Sequence, residues 1–197
     1  MAYLILASSS PRRQELLQQL GLHFDLVCPD IDESQQENES VATYVERLAR
    51  EKAQVILKKF PDAVILAADT SLGLDGKIIG KPESKAHAFK IWKALSGRQH
   101  DVFSGICVAT ATDIFSDVVQ TRVEFQHLTH TDMDDYWATG EPVGKAGAYA
   151  IQGIAAQFIP RIEGSYTNVV GLPLYETVQL LKRVKVIGRK SGFEQSI

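Results

Sequence analysis

Apolar residues come in short unbroken runs and in stripes three to four residues apart, and the two patterns take turns along the chain. Residues 3–7 (Tyr-Leu-Ile-Leu-Ala) are continuously apolar, as in a buried strand. The leucines at 16, 17 and 20 follow at helical spacing, with Ser10 as N-cap, Pro11 at the first helical position and Gly21 at the stop. A second strand is predicted over 24–28. Ser40 then caps the longest helix, over 41–60, with Val41, Val45, Leu48, Ile56 and Phe60 on one stripe. The run 64–68 reads as a strand covered on both faces, ending at Asp69-Thr70. Residues 71–74 and 77–79 form a predicted hairpin around Asp75-Gly76. A helix is expected over 84–96, with Ala88, Trp92 and Leu95 inward and Gly97 at its end. Long strands are expected over 102–109 and 118–128, and a short helix over 129–139 anchored by Met133, Tyr136 and Trp137. A further strand is expected over 154–162 and a last helix over about 173–184. Residues 188–197 carry no apolar pattern and are read as a frayed tail. Strand–helix alternation early and strand pairs late predict an α/β protein with a mixed sheet.

Several polar residues interrupt these patterns. Ser8-Ser9-Ser10-Pro11-Arg12-Arg13 sits at the first strand-to-helix turn, where free N–H groups and the helix dipole favour anions and two guanidiniums can fork onto phosphate. An ordinary capped helix with solvated arginines is the plainer alternative. Lys52 breaks the stripe of the long helix, falling between Leu48 and Ile56 at about 100° per residue. Either it faces a partner or cavity, because an unpaired buried ammonium is costly, or it snorkels to the rim. The cleft-facing reading is preferred, since lysines are seldom buried unpaired. Asp69 lies at the carboxyl end of a buried strand, where open α/β sheets place ligands. Pro82 keeps Lys81 extended, on a loop beside the hairpin. The glycine-rich stretch 144–153 permits close backbone approach to a ligand, or is an irregular bulged strand.

Composition narrows the class. The chain has 197 residues, 45% hydrophobic and 23% charged, with a formal net charge of −3, so it reads as an ordinary globular sequence. That charge argues against a nucleic-acid polymer as partner. Cys28 and Cys107 are far apart and suggest neither a zinc site nor a disulfide framework. No basic leader with an apolar core and no membrane-length apolar run is visible, so a soluble cytoplasmic protein is expected, with no membrane partner. His127 and His130 are the only neighbouring histidines, and metal binding by them is the minority reading.

Ser8, Ser10, Arg12, Arg13, Lys52 and Lys81 are donors or cations near strand ends and loops, and Asp30, Asp32, Glu33 and Asp69 are carboxylates in similar places. Cations for polyphosphate and carboxylates for a divalent ion point to phosphoryl transfer. No covalent nucleophile motif or Walker-type loop is present, so attack by water is the simplest reading. In this order, Leu6-Ala7-Ser8-Ser9-Ser10-Pro11-Arg12-Arg13, Leu48-Ala49-Arg50-Glu51-Lys52-Ala53, Ala68-Asp69-Thr70, Gly80-Lys81-Pro82, Lys145-Ala146-Gly147-Ala148-Tyr149 with Ile151-Gln152-Gly153, and Gly164-Ser165-Tyr166 with Asn168-Val169-Val170-Gly171-Leu172-Pro173-Leu174 resemble the Maf-like nucleoside triphosphate pyrophosphatases.

The resemblance implies an inosine-triphosphatase-like α/β fold over a single domain, 1–187, with an elongated mixed sheet flanked by helices and two lobes around a deep cleft. It implies hydrolysis of a nucleoside triphosphate to the monophosphate and pyrophosphate with a divalent metal, Mg or Mn, in the cytoplasm, often as a homodimer. Asp69 matches the proton acceptor and, with Glu33, the metal position. Ser8, Ser10, Arg13, Lys52 and Lys81 match phosphate-binding positions. One branch of the family takes thymidine and uridine triphosphates, the other 7-methylguanosine triphosphate. The second carries Trp, Gln and Glu where this chain has Arg12, Thr70 and Gln152. A cationic base suits an aromatic face and a carboxylate, whereas an amide can pair with both N3–H and a carbonyl of uracil or thymine. The dTTP/UTP-preferring branch is therefore the expectation. A catalytically silent nucleotide-binding regulator and a phosphatase releasing single phosphates are the competing functions.

Overall fold

The computed structural model describes residues 3–187; the expected tail at 188–197 lies outside them. In chain order, β1 (Leu4–Ala7) leads into α1 (Pro11–Gln18), then β2 (Asp25–Leu26) and α2 (Val41–Leu57). β3 (Val64–Leu74), β4 (Lys77–Ile79), α3 (Lys85–Leu95), β5 (Gln99–Ala109) and β6 (Ile114–Glu124) follow. The remainder is α4 (His130–Ala138), β7 (Arg161–Glu163), α5 (Tyr166–Val170) and α6 (Leu174–Arg183). Seven strands make one mixed sheet in the order β2-β1-β3-β5-β6-β7, with β4 also on β3. β1 runs parallel to β2 and β3; every pairing beyond β3 is antiparallel.

The period of two along β1 and β3 divides the core between the sheet's faces. Leu4, Leu6, Leu66 and Ala68 enter a large cluster with Trp92 of α3 and Leu180 of α6. Ile5, Ala7, Ile65 and Ala67 meet Ala49, Ala53 and Ile56 of α2 on the other face. α2 lies flush on the sheet because Gly105 of β5 has no side chain. A Cβ there would run into the Val45 carbonyl and come 2.7 Å from the Glu46 nitrogen.

Several elements differ from the pattern-based expectation. β3 does not end before Asp69. It runs on to Leu74 because β5 pairs it without interruption from Ile65 to Gly73. Its other edge behaves differently: β1 covers only Val64 to Ala67 and β4 only Leu72 to Leu74. The edge from Ala68 to Ser71 is left without a strand partner, and Asp69 is mid-strand beside that gap. The expected strand over 24–28 shrinks to Asp25–Leu26. The strand expected over 118–128 lies at Ile114–Glu124, because Thr110–Asp113 closes a tight hairpin that the polar pair Ser116-Asp117 hides from an apolar count. The strand expected over 154–162 is a 3-10 helix, Ile154–Phe158, followed by short β7. There the Glu141 carboxylate takes the N–H groups of Ile154 and Ala155 that a strand would have offered a neighbour. α2 ends at Leu57, short of Phe60, and α5 forms inside a motif rich in turn-formers, where the pattern predicts no helix. No helix among the described residues is long and apolar enough to cross a membrane.

Candidate active site

The gap along β3 opens into a cleft of about 820 Å³, a volume suited to a nucleotide-sized ligand. Ser8, Ser10, Arg12, Arg13, Glu33, Lys52, Asp69, Thr70, Lys81 and Gln152 all line it. Five cationic side chains line the cleft (Arg12, Arg13, Lys52, Lys81, Lys145) against three carboxylates (Glu33, Asp69, Glu141). That local excess of two positive charges sits in a chain whose formal net charge is −3, so the cleft is built for an anion.

Asp69 follows Ile65 and Ala67 on the face of β3 that α2 covers, and Lys52 reaches it from α2. Lys52 Nζ lies 2.7 Å from Asp69 Oδ1 and 2.6 Å from Glu33 Oε1. Lys52 is 7% exposed and Asp69 8%, so the misfit in the helical stripe is a buried, doubly paired ammonium rather than a snorkelling one. Glu33 is half-exposed. Burial opposes its ionisation, but the Lys52 hydrogen bond and the charges of Lys52, Lys81 and Arg13 outweigh burial and hold its carboxyl below the usual range. Tyr44 of α2 donates to the Glu33 backbone carbonyl at 2.8 Å. Burial first, then the charges of Asp69 and Glu33, push its phenol up to about 12, so it stays protonated at neutral pH.

Thr70 faces the opposite side of the sheet, where Arg13 arrives from α1. Arg13 donates to the Gly171 carbonyl (2.8 Å), Thr70 Oγ1 (3.1 Å) and Ser8 Oγ (3.4 Å). All three acceptors are uncharged, and burial lowers the pKa of this guanidinium. Thr70 Oγ1 meets Ser104 Oγ at 2.7 Å. Ser104 donates to the Asn168 carbonyl at 3.2 Å, and Asn168 Nδ2 donates to Thr121 Oγ1 at 2.9 Å and the Val102 carbonyl at 3.0 Å. A buried polar chain of this kind holds each member in one rotamer. Ser10 caps α1 by position alone: its side chain makes no capping bond, while its N–H donates to Ser8 Oγ at 3.1 Å. Lys81 and Gln152 are exposed on the cleft's loops.

The segment between α4 and β7 forms the far wall. Glu141 accepts from Tyr136 OH at 2.6 Å, Ile154 N at 2.9 Å and Ala155 N at 3.3 Å, closing a loop that carries Lys145 and Gln152. Gly153 makes room for that carboxylate, since a Cβ would overlap it. Tyr44, Ser104 and Glu141 were not singled out from sequence. Each looks like a generic polar residue until its partner from a distant element is known. Asn168 and Lys145 lie in the motif stretches, but local sequence gives them no role. Of the paired histidines, His130 Nδ1 lies 2.8 Å from Asp134 Oδ2, within the same helix. Among the described residues no group of three or more His, Cys, Asp or Glu comes together, and Cys28 and Cys107 are both free.

A family model described as Maf-like protein matches residues 3–184. A dTTP/UTP pyrophosphatase of Acinetobacter baylyi is 75% identical over 180 residues, covering 91% of this chain and 98% of that protein. Proteins of the same name from Vibrio parahaemolyticus (49% identical; 91% and 95% covered) and Colwellia psychrerythraea (46%; 94% and 90%) are also similar. Among solved structures, the Ham1 protein of Staphylococcus aureus superposes on 62% of this chain and 71% of its own, with a TM-score of 0.46 at 14% identity.

Proposed function

Because the chain belongs to the Maf-like protein family, we propose that it hydrolyses deoxythymidine and uridine triphosphates to the nucleoside monophosphate and pyrophosphate. The observation that carries this reading is the pairing of Asp69 and Glu33 on Lys52 inside a cleft of net positive charge. The names of relatives up to 75% identical support the nucleotide choice. Water attacks the α-phosphorus, and Asp69 accepts its proton. Arg13, Lys52 and Lys81, with the hydroxyls of Ser8 and Ser10, hold the phosphate oxygens and stabilise the charge that builds on the leaving pyrophosphate. Arg13 is well suited to this, since its hydrogen-bond partners are neutral and its charge is left for the ligand.

Arg12, Thr70 and Gln152 face the base, and the amide of Gln152 pairs with the N3–H and a carbonyl of uracil or thymine. Glu33 and Asp69 lie close enough to share one ammonium, a carboxylate pair that fits a hard divalent ion such as Mg or Mn, which takes one or two protein carboxylates. Bound there, such an ion would lower the pKa of water and neutralise phosphate charge. A cytoplasmic setting and a homodimer belong to the same reading.

The test is a product assay with magnesium over dTTP, UTP and 7-methylguanosine triphosphate. Pyrophosphate released from the first two, with little use of the third, is the expected result. Orthophosphate as the product would make this a phosphatase, and binding without any product would make it a nucleotide-binding regulator. A preference for the methylated guanine nucleotide would overturn the base assignment.

A further inference from the structure

The charged groups around the cleft fall into two neighbourhoods. Asp69, Glu33 and Lys52 form one, with Lys52 Nζ 2.7 Å from Asp69 Oδ1 and 2.6 Å from Glu33 Oε1. Lys145 belongs to the other, the loop closed by the Glu141 carboxylate through Tyr136, Ile154 and Ala155, which also carries Gln152. If the triphosphate occupies the first neighbourhood, the base reaches towards the second.

Lys145 lines that second end, and its ammonium makes one hydrogen bond, to the Glu141 backbone carbonyl at 2.6 Å. No carboxylate lies within ion-pair distance of it among the described residues. The one nearby, Glu141, spends its oxygens on Tyr136, Ile154 and Ala155. The Glu141 backbone therefore fixes where the ammonium sits, and the Glu141 carboxylate fixes the loop that carries it. What remains is a positioned cation with N–H bonds to spare and no carboxylate partner.

We propose that Lys145, held at the base end of the cleft by Glu141, is a specificity-determining residue that donates to the C4 carbonyl of thymine or uracil and so rejects cytosine. The inference rests on the pyrimidine-triphosphate reading above. The C4 carbonyl is the base acceptor farthest from the phosphates, and it adjoins the N3–H assigned above to Gln152, which shares the Glu141-closed loop with Lys145. Cytosine carries an amino group there, and a donor-only ammonium facing a second donor loses its hydrogen bond and leaves both groups unpaired.

The experiment compares the wild type with Lys145→Met, which keeps the stem's length and removes the charge. Both kcat/KM for pyrophosphate release and Kd by calorimetry are measured for dTTP and dCTP. The wild type prefers dTTP on both measures. In Lys145→Met, kcat/KM for dTTP falls by about ten- to a hundredfold, as expected for a lost charged hydrogen bond, whereas dCTP is used as well as before or better. The dTTP-to-dCTP ratio of Kd values shifts in parallel. An equal loss for both nucleotides would mean that Lys145 binds phosphate, or merely shapes the loop, and overturns the proposal. So would an unchanged ratio. A wild type that discriminates in Kd but releases no pyrophosphate would defeat the catalytic reading and leave the Lys145 comparison decisive through binding.

Discussion

At the scale of single residues, the site depends on where charges are shared and where they are left free. Lys52 is paired with two carboxylates and so holds Glu33 and Asp69 together. Arg13 is the reverse case, a half-buried cation whose hydrogen bonds go only to neutral oxygens. Asp69→Asn separates holding from proton transfer: the amide oxygen can still accept from Lys52, but the group can no longer take a proton at neutral pH. Turnover is expected to fall by about 10²- to 10⁴-fold, while the Kd for dTTP, read by calorimetry, stays near the wild-type value. Turnover close to wild type would remove Asp69 from the mechanism.

At the scale of elements, the cleft is made by two absences. β1 stops at Ala7 and β4 begins pairing only at Leu72, so β3 offers the reactants an open edge in the middle of a strand. Gly105 stands opposite Asp69 on β5 and lets α2 settle against the sheet. Val45, over Gly105, and Lys52 are two helical turns apart on the same helix. Any lift of α2 therefore separates Lys52 from Asp69. Gly105→Ala puts a methyl group into backbone atoms that cannot rotate away. A loss of about 3 kcal/mol of stability, at the upper end of overpacking costs, is expected in urea titrations, together with reduced kcat. A variant with normal stability and turnover would show that the helix–sheet approach does not set the ion pair.

At the scale of the whole molecule, pH reaches the fold through His100. This residue is 2% exposed, its Nε2 meets Tyr149 OH at 2.8 Å, and its Nδ1 has no hydrogen-bond partner. Protonation would bury a second N–H with nothing to accept it. Burial pulls its pKa down from 6.5 to about 4, against a small opposing pull from Asp101. The folded state thus binds fewer protons than the unfolded state between those values. Stability is complete above about pH 6.5, declines as the pH falls towards about 4, and levels off below, a total of about 3 kcal/mol from this one group. Urea midpoints measured from pH 7.5 down to pH 4 would show the decline. His100→Gln should flatten it in that window, and an undiminished slope in the variant would assign the effect elsewhere. Glu33 also weakens the fold on acidification, but its loss begins lower, where carboxylates take up protons, and solvent screens it.

Much of this was legible in the order of residues alone. Local period placed α1, α2, α3, α4 and α6, and the apolar runs placed β1 and most of β3 and β5. Lys52 announced itself by breaking a stripe, and the serine–arginine turn by its capping pattern, because both signals live within a few residues. The tertiary structure decided the rest. That Asp69 lies mid-strand yet beside an unpaired edge depends on how far two neighbouring strands extend, and no pattern within β3 records it. Ser104 behind Thr70 and Gly105 beneath α2 likewise derive their roles from residues tens of positions away, and Glu141 from partners on both sides of its loop. Hydrophobic periodicity says which face of an element is buried. Register and strand length say which polar groups then meet, and those emerge only when every element competes for the same sheet.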